Sequence, residues 1–182
     1  MPPKIKYSKE QIIDTAIEIV RKNGIENLSA RTIANNLNSS PQPIFSYFKN
    51  MEELKNTIYT YAYKLYEQYN IDFIKCGKYP EYKSYGMAYV SFAKNEKEFF
   101  KLLFMSDKTE NREIDISEVI KVIMKTLDMT EDTANKFHFE IWTFVHGIAS
   151  MHITNSLNLT EEEISVMITD VYEGLKFRFK EK

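Results

Sequence analysis

The sequence predicts an all-α protein of about nine helices, with an N-terminal three-helix head at residues 1–50 and a larger helical body at residues 51–182. Three observations carry that reading. Apolar residues recur at helical spacing along most of the chain, and no run reads convincingly as a strand. The 182 residues hold only 5 Gly and 5 Pro, too few for a β-sandwich, which needs a turn signal every ~8–12 residues. A Ser or Thr stands ahead of most of the apolar stripes, where a helix takes its N-cap.

Ser8 opens the first helix. In "SKEQ" the Ser sits at the N-cap with Gln three residues on, the pattern of a capping box. Ile12, Ile13, Ala16, Ile17, Ile19 and Val20 supply the stripe. "RKN" then gives a basic last turn before Gly24, which can take positive φ. Ser29 caps a shorter second helix, "SARTIANNL", with Ile33, Ala34 and Leu37 inward and Asn38 suited to a left-handed turn position. The third helix begins at two prolines. With Ser40 as N-cap, Pro41 falls at N1 and Pro43 at N3, so neither removes a needed hydrogen bond. The Ser40 hydroxyl then reaches the Gln42 N–H. Ile44 and Phe48, four apart, face the core, which leaves Gln42, Pro43, Ser46 and Tyr47 outside. Residues 29–48 thus read as a helix-turn-helix. The major groove of B-DNA admits one α-helix, and the leading residues of that helix meet base edges.

Met51 opens a long helix with Leu54, Ile58, Tyr61, Ala62 and Leu65 as its stripe. The chain loosens through "CGKYPEYKSYG", Pro80 marks a break, and a further helix runs to about Asn95. "EKEFFKLLFM" is a short helix and "SDKTENREID" a polar loop. Ser117 opens the next helix. Thr130 opens a long one with acids in its first turn, and Thr160 with "EEE" opens the last, which runs to about Lys180.

Composition narrows the function classes. Hydrophobic residues at 43% and charged residues at 27% are ordinary for a soluble globular chain. A single cysteine, Cys76, builds no intrachain disulfide framework, so a reducing cytoplasm is the expected compartment. "MPPKIKYSKEQ" has no apolar core of a secretory signal, and no apolar run approaches the ~20 residues that span a bilayer. The net charge of −2 is uneven. Residues 1–50 hold seven basic side chains against four acidic, so the head is positive and the remainder negative. A basic head on an acidic body suits a polyanionic partner.

Two stretches now carry a resemblance. "LSARTIANNLNSSPQPIFSYFKNMEEL", behind a capped first helix, resembles the DNA-binding head of the TetR family of bacterial transcriptional regulators over residues 8–60. "YVSFAKNEKEFFKLLF" and the Trp142…His146-Gly147 spacing in "WTFVHGIA" look like a subgroup of TetR-type ligand-binding domains. The resemblance implies a homodimer, a double-stranded DNA operator and a helical body that binds a small inducer. Position by position, it puts DNA contacts at Arg31, Ser40, Gln42, Pro43, Ser46, Tyr47 and Lys49. This chain has Asn38 where the family often has Gly, and Met51 where a phosphate-touching Lys is common, which leaves Lys49 and Lys55 as substitutes. Gln42 is the best base reader, since Gln pairs bidentately with adenine. Phe45 stands between packing and backbone contact. Lys4 and Lys6 read as an arm toward DNA or, more simply, as a plain tail.

In the body, His138, Trp142 and His146 share one side of a helix. No third metal ligand falls at a diagnostic spacing, so packed or hydrogen-bonded histidines are expected. Tyr89, Phe92, Phe100, Phe104, Met124, Trp142 and His146 are the candidates for lining an effector pocket, most of them shared with the plain core. Gly147 and Gly174 interrupt the last two helices at ~1 kcal/mol each relative to Ala. With Phe137, Ile141, Phe144, Ile148 and Met151 on one helix and Ile164, Ile168, Val171, Leu175 and Phe179 on the other, they suggest a four-helix dimer interface. The same stripes would equally serve packing inside one subunit. No nucleophile–base pair appears and no cofactor is expected. A small-molecule enzyme on a helical bundle and an interaction module without DNA binding are the weaker readings.

Overall fold

The computed structural model describes residues 7–106 and 114–180. Lys4, Lys6 and most of the polar loop after Met105 lie outside the described residues. Among those described, the chain forms nine α-helices, one 3₁₀ turn and no strand. The helices are α1 (Lys9–Asn23), α2 (Ala30–Asn36), α3 (Gln42–Phe45), α4 (Met51–Cys76), α5 (Glu81–Asn95), α6 (Lys97–Phe104), α7 (Ser117–Leu127), α8 (Glu131–Ile153) and α9 (Glu161–Lys180). They form two compact units: Met1–Leu65 with Glu96–Ser106, and Tyr66–Asn95 with Asp107–Lys182. The first unit therefore takes in the opening stretch of α4 and all of α6.

The first unit is closed by local devices. The Ser8 hydroxyl accepts from the Gln11 N–H at 3.2 Å while the Gln11 side chain accepts from the Ser8 N–H at 2.9 Å. Gly24 takes φ +84°, and its N–H ends α1 on the Val20 carbonyl. Ser29 caps α2 with Thr32 as its reciprocal partner. α2 ends with Asn38 at φ +48°, the Ser39 N–H on the Ala34 carbonyl and the Asn38 N–H on the Asn35 carbonyl. That is a Schellman closure with Asn in the usual glycine place. Ile12, Val20, Ile33, Ile44, Phe48, Leu54, Ile58, Phe99 and Phe100 form the core. Arg21 ties its edge together: Nε lies 3.1 Å from Glu96, Nη1 3.0 Å from Glu18, and Nη2 donates to the Tyr61 hydroxyl at 3.2 Å.

The second unit packs α5 against α7, α8 and α9, with Met87, Phe92, Ile123, Phe137, Ile141, Val145, Ile164 and Ile168 inside. α5 starts directly after Pro80, whose carbonyl accepts from the Ser84 N–H. The stretch "EYKSYG", expected to be loose, is helical because α8 and α9 cover it. Gly86 sits in that contact. A Cβ there would lie 3.4 Å from Ile168 and 3.7 Å from Val145. Gly147 and Gly174 are different: a Cβ at either meets nothing within 4 Å. The residues of the two expected stripes divide between inside and outside. Phe137, Ile141, Ile148, Ile164 and Ile168 are buried inside the subunit, leaving Phe139 (63% exposed), Met151, Val166 and Phe177 (66%) outside.

Candidate nucleic-acid interface

The reading turn starts one residue later than the proline count predicts. Pro41, not Ser40, is the N-cap of α3, and no side chain caps it. The reason lies in one hydrogen bond. A helix capped at Ser40 needs the Ile44 N–H on the Ser40 carbonyl; here that N–H goes to Pro41 at 3.1 Å, an i→i+3 bond that tightens the turn. Pro43 still falls in the first turn, where its missing N–H costs nothing. The helix is also shorter than expected. After Phe45 the N–H groups of Ser46 and Tyr47 again bond three residues back, and the chain leaves the helix.

Two buried side chains hold this turn down: Ile44 at 1% exposed and Phe48 at 2%. Lys9 places its ammonium 5.1 Å from the Phe48 ring centre. At the exit, the Asn50 side chain accepts from the Glu53 N–H at 2.9 Å and Glu53 accepts from the Lys49 N–H at 2.7 Å, so the start of α4 is capped beside Lys49.

Of the seven expected contact residues, Arg31, Ser40, Gln42, Ser46 and Lys49 are exposed, while Pro43 and Tyr47 are half-buried. Pro41, Gln42, Phe45 and Ser46 make one outward face, at spacings of three and four, and Lys49 is exposed in the bend just past it. Phe45 belongs to it, half exposed. An amide, a hydroxyl and an aromatic edge on the turn, with a cation in the bend beyond it, can meet base edges and phosphates. The Tyr47 hydroxyl is turned away from that face and donates to the Tyr7 carbonyl at 3.2 Å.

The seven effector candidates fall in three places. Tyr89, Trp142 and His146 come together in the second unit. The Tyr89 hydroxyl lies 2.7 Å from His146 Nδ1 and also takes a hydrogen bond from the Trp142 side chain. The Trp142 and His146 rings lie 5.1 Å apart. Phe92 adjoins through Tyr66, whose ring meets both Tyr89 and Phe92. Burial pushes the Tyr89 hydroxyl pKa up and the His146 pKa down, so both stay neutral. Phe100 and Phe104 pair with each other in the first unit. Met124 lines an open groove of about 680 Å³ with Ile114, Ile116, Ile120 and Asn135. His138 is a hydrogen-bonded interior histidine, 3.1 Å from the Tyr82 hydroxyl, its pKa lowered by burial to about 4. Among the described residues no three His, Cys, Asp or Glu side chains come together to hold a metal, and no helix is long and apolar enough to cross a membrane.

A capped three-helix head that presents a stiff outward turn, ahead of a helical body with a neutral aromatic interior, defines a helix-turn-helix regulator with a separate binding body. Residues 12–59 match the family model of bacterial regulatory proteins, tetR family. Residues 83–171 match that of the tetracyclin repressor-like C-terminal domain. No curated protein matches the chain. The chain thus carries both the DNA-binding and the C-terminal domain of the TetR family, and is a ligand-responsive DNA-binding transcriptional regulator. Regulators of this family are typically non-enzymatic and typically dimerise.

Proposed function

We propose that the protein is a homodimeric, cytoplasmic, non-enzymatic repressor that leaves its operator when a small apolar or amphipathic molecule binds its body. Residues 1–50 serve as the DNA-binding part and residues 51–182 as the ligand-binding and dimerising part. The observation that carries the reading is the exposed face from Pro41 to Ser46, with Lys49 just past it, seated on the buried pair Ile44 and Phe48. Two such turns enter successive major grooves about 34–36 Å apart. Gln42 reads a base, Pro43 and Ser46 flank it, Arg31, Ser40 and Lys49 take phosphates, and the Tyr47 ring borders the face.

Dimerisation runs through α8 and α9. Phe139, Gly147 and Met151 lie along one side of α8, and Val166, Gly174 and Phe177 along one side of α9. Four large apolar side chains left in water beside two uncovered glycines are what a close helix–helix contact between subunits requires. The effector site centres on Tyr89, Trp142 and His146, the Trp-x-x-x-His-Gly signature of a body subgroup, with Phe92 beside it. A ligand that fits the body better when the heads cannot reach both grooves lowers operator affinity by that difference alone.

The test is a duplex selected from a random pool by the wild-type protein. Gln42→Ala should keep its affinity for random DNA but lose about tenfold or more in preference for the selected duplex. Lys49→Ala should weaken binding to every sequence and lower the slope of log affinity against log salt by about 0.9 per subunit. Wild-type affinity in both variants would remove the head from the DNA.

A further inference from the structure

The reading turn is too short to aim itself. α3 has four residues and no side-chain cap, and isolated helices of that length do not persist in water. Ile44 and Phe48 fix its depth, and the Asn50–Glu53 cap fixes its exit. Its angle to α2 has a further support in a residue that precedes the whole motif. The Tyr7 hydroxyl donates to the carbonyl of Leu37, at the end of α2. The Tyr7 carbonyl accepts from the Tyr47 hydroxyl, just past α3. Leu37 lies among the last carbonyls of its helix, which have no partner within it. Tyr7 is itself anchored, because the next residue, Ser8, is locked in the capping box that starts α1.

We propose that Tyr7 is a positioning residue for DNA reading: one side chain and its own carbonyl clasp both sides of the turn between α2 and α3 and set the angle at which Gln42 and Phe45 meet the groove. The inference rests on the DNA-binding reading above and goes beyond it, since Tyr7 does not belong to the outward face. It also gives Tyr47 an inward task, because its hydroxyl is spent on Tyr7 and is not free for a phosphate.

The test measures full-length wild type, Tyr7→Phe, Tyr47→Phe and the double variant against the selected duplex and against random duplex, with the binding-competent fraction fixed by stoichiometric titration. Phe keeps each ring and removes one link of the clasp. Tyr7→Phe should bind the selected duplex about three- to tenfold more weakly, the range one hydrogen bond spans, with unchanged affinity for random duplex. The double variant should lose no more than the weaker single variant, because either cut opens the same clasp. Tyr7→Phe binding the selected duplex like wild type, losing equally on random duplex, or multiplying its loss with that of Tyr47→Phe would overturn the clasp while leaving the DNA-binding reading intact. A wild-type protein that selects no sequence at all would overturn that reading, and the clasp with it.

Discussion

In the first compact unit the chemically capable side chains stand outside: Gln42, Ser46 and Lys49 face water over a wholly apolar pair, Ile44 and Phe48. In the second they are turned inward. Tyr82 meets His138, and Tyr89 meets His146 and Trp142, each within a packed aromatic interior. All three histidines of the chain, His138, His146 and His152, lie in that second unit, and burial lowers the pKa of each. A surface that meets a polyanion keeps its charges hydrated until contact, whereas a site for an apolar guest is dry and neutral beforehand. The two units thus hold their polar groups in opposite ways, hydrated over an apolar seat in one and paired within an aromatic interior in the other.

The sharpest way to break the contrast is to cut into each interior. Phe48→Ala and Phe137→Ala each remove a fully buried ring, and each should cost about 3–5 kcal/mol in chemical denaturation. Phe45→Ala, half exposed, should cost well under 1 kcal/mol while weakening binding to the selected duplex. Equal costs for Phe45 and Phe48 would mean that the outward face is not outward.

The next effect is acid. His138 has its pKa depressed to about 4 by burial, below the ~6.5 of an unfolded histidine. Between those values the unfolded chain binds the extra proton, so stability rises with pH. It is therefore at its full value above about pH 6.5, is lost as pH falls, and stops falling near pH 4, a span worth at most about 3 kcal/mol. Urea midpoints followed by circular dichroism should show this, and His138→Phe should flatten it. A wild-type curve with no slope from that group would mean that His138 is hydrated.

The smallest effects fall on the two uncovered glycines. Gly147→Ala and Gly174→Ala should each stabilise an isolated subunit by about 1 kcal/mol through helix propensity. At a close subunit contact the same methyl should weaken the dimer, seen as a rise in its dissociation constant by sedimentation. A tighter dimer in both variants would move the interface elsewhere.

What was legible in the sequence tracks the distance to the partner. The Ser8–Gln11 box, the Gly24 turn and the left-handed Asn38 involve residues within a few positions of each other, and local chemistry gives each one a single solution. The proline count came within one residue of the cap; what it missed was a choice between two carbonyls for one N–H, which sterics alone do not rank. The α8 and α9 stripes were legible as apolar but not as inward or outward. Phe137 and Phe139 are two positions apart with opposite fates, and only the packing of α5 and α9 decides between them. Helix at Glu81–Gly86 depends on the same packing. Tyr7 carries no local signal, because its partners lie 30 and 40 residues away. The Tyr–His pairs, 56 and 57 residues apart, are hidden for the same reason.

Trp142 is the only indole in the chain, and it sits against His146 and Tyr89, far in sequence from the reading turn. The protein therefore carries one indole fluorophore, excitable at wavelengths where its 12 tyrosines scarcely absorb, placed among the side chains proposed to meet the effector. Its emission should shift or quench as a guest displaces those neighbours, without any dye attached. Ligand titrations can thus be read optically in the same cuvette that holds unlabelled operator, with light from one residue reporting occupancy of the proposed effector site.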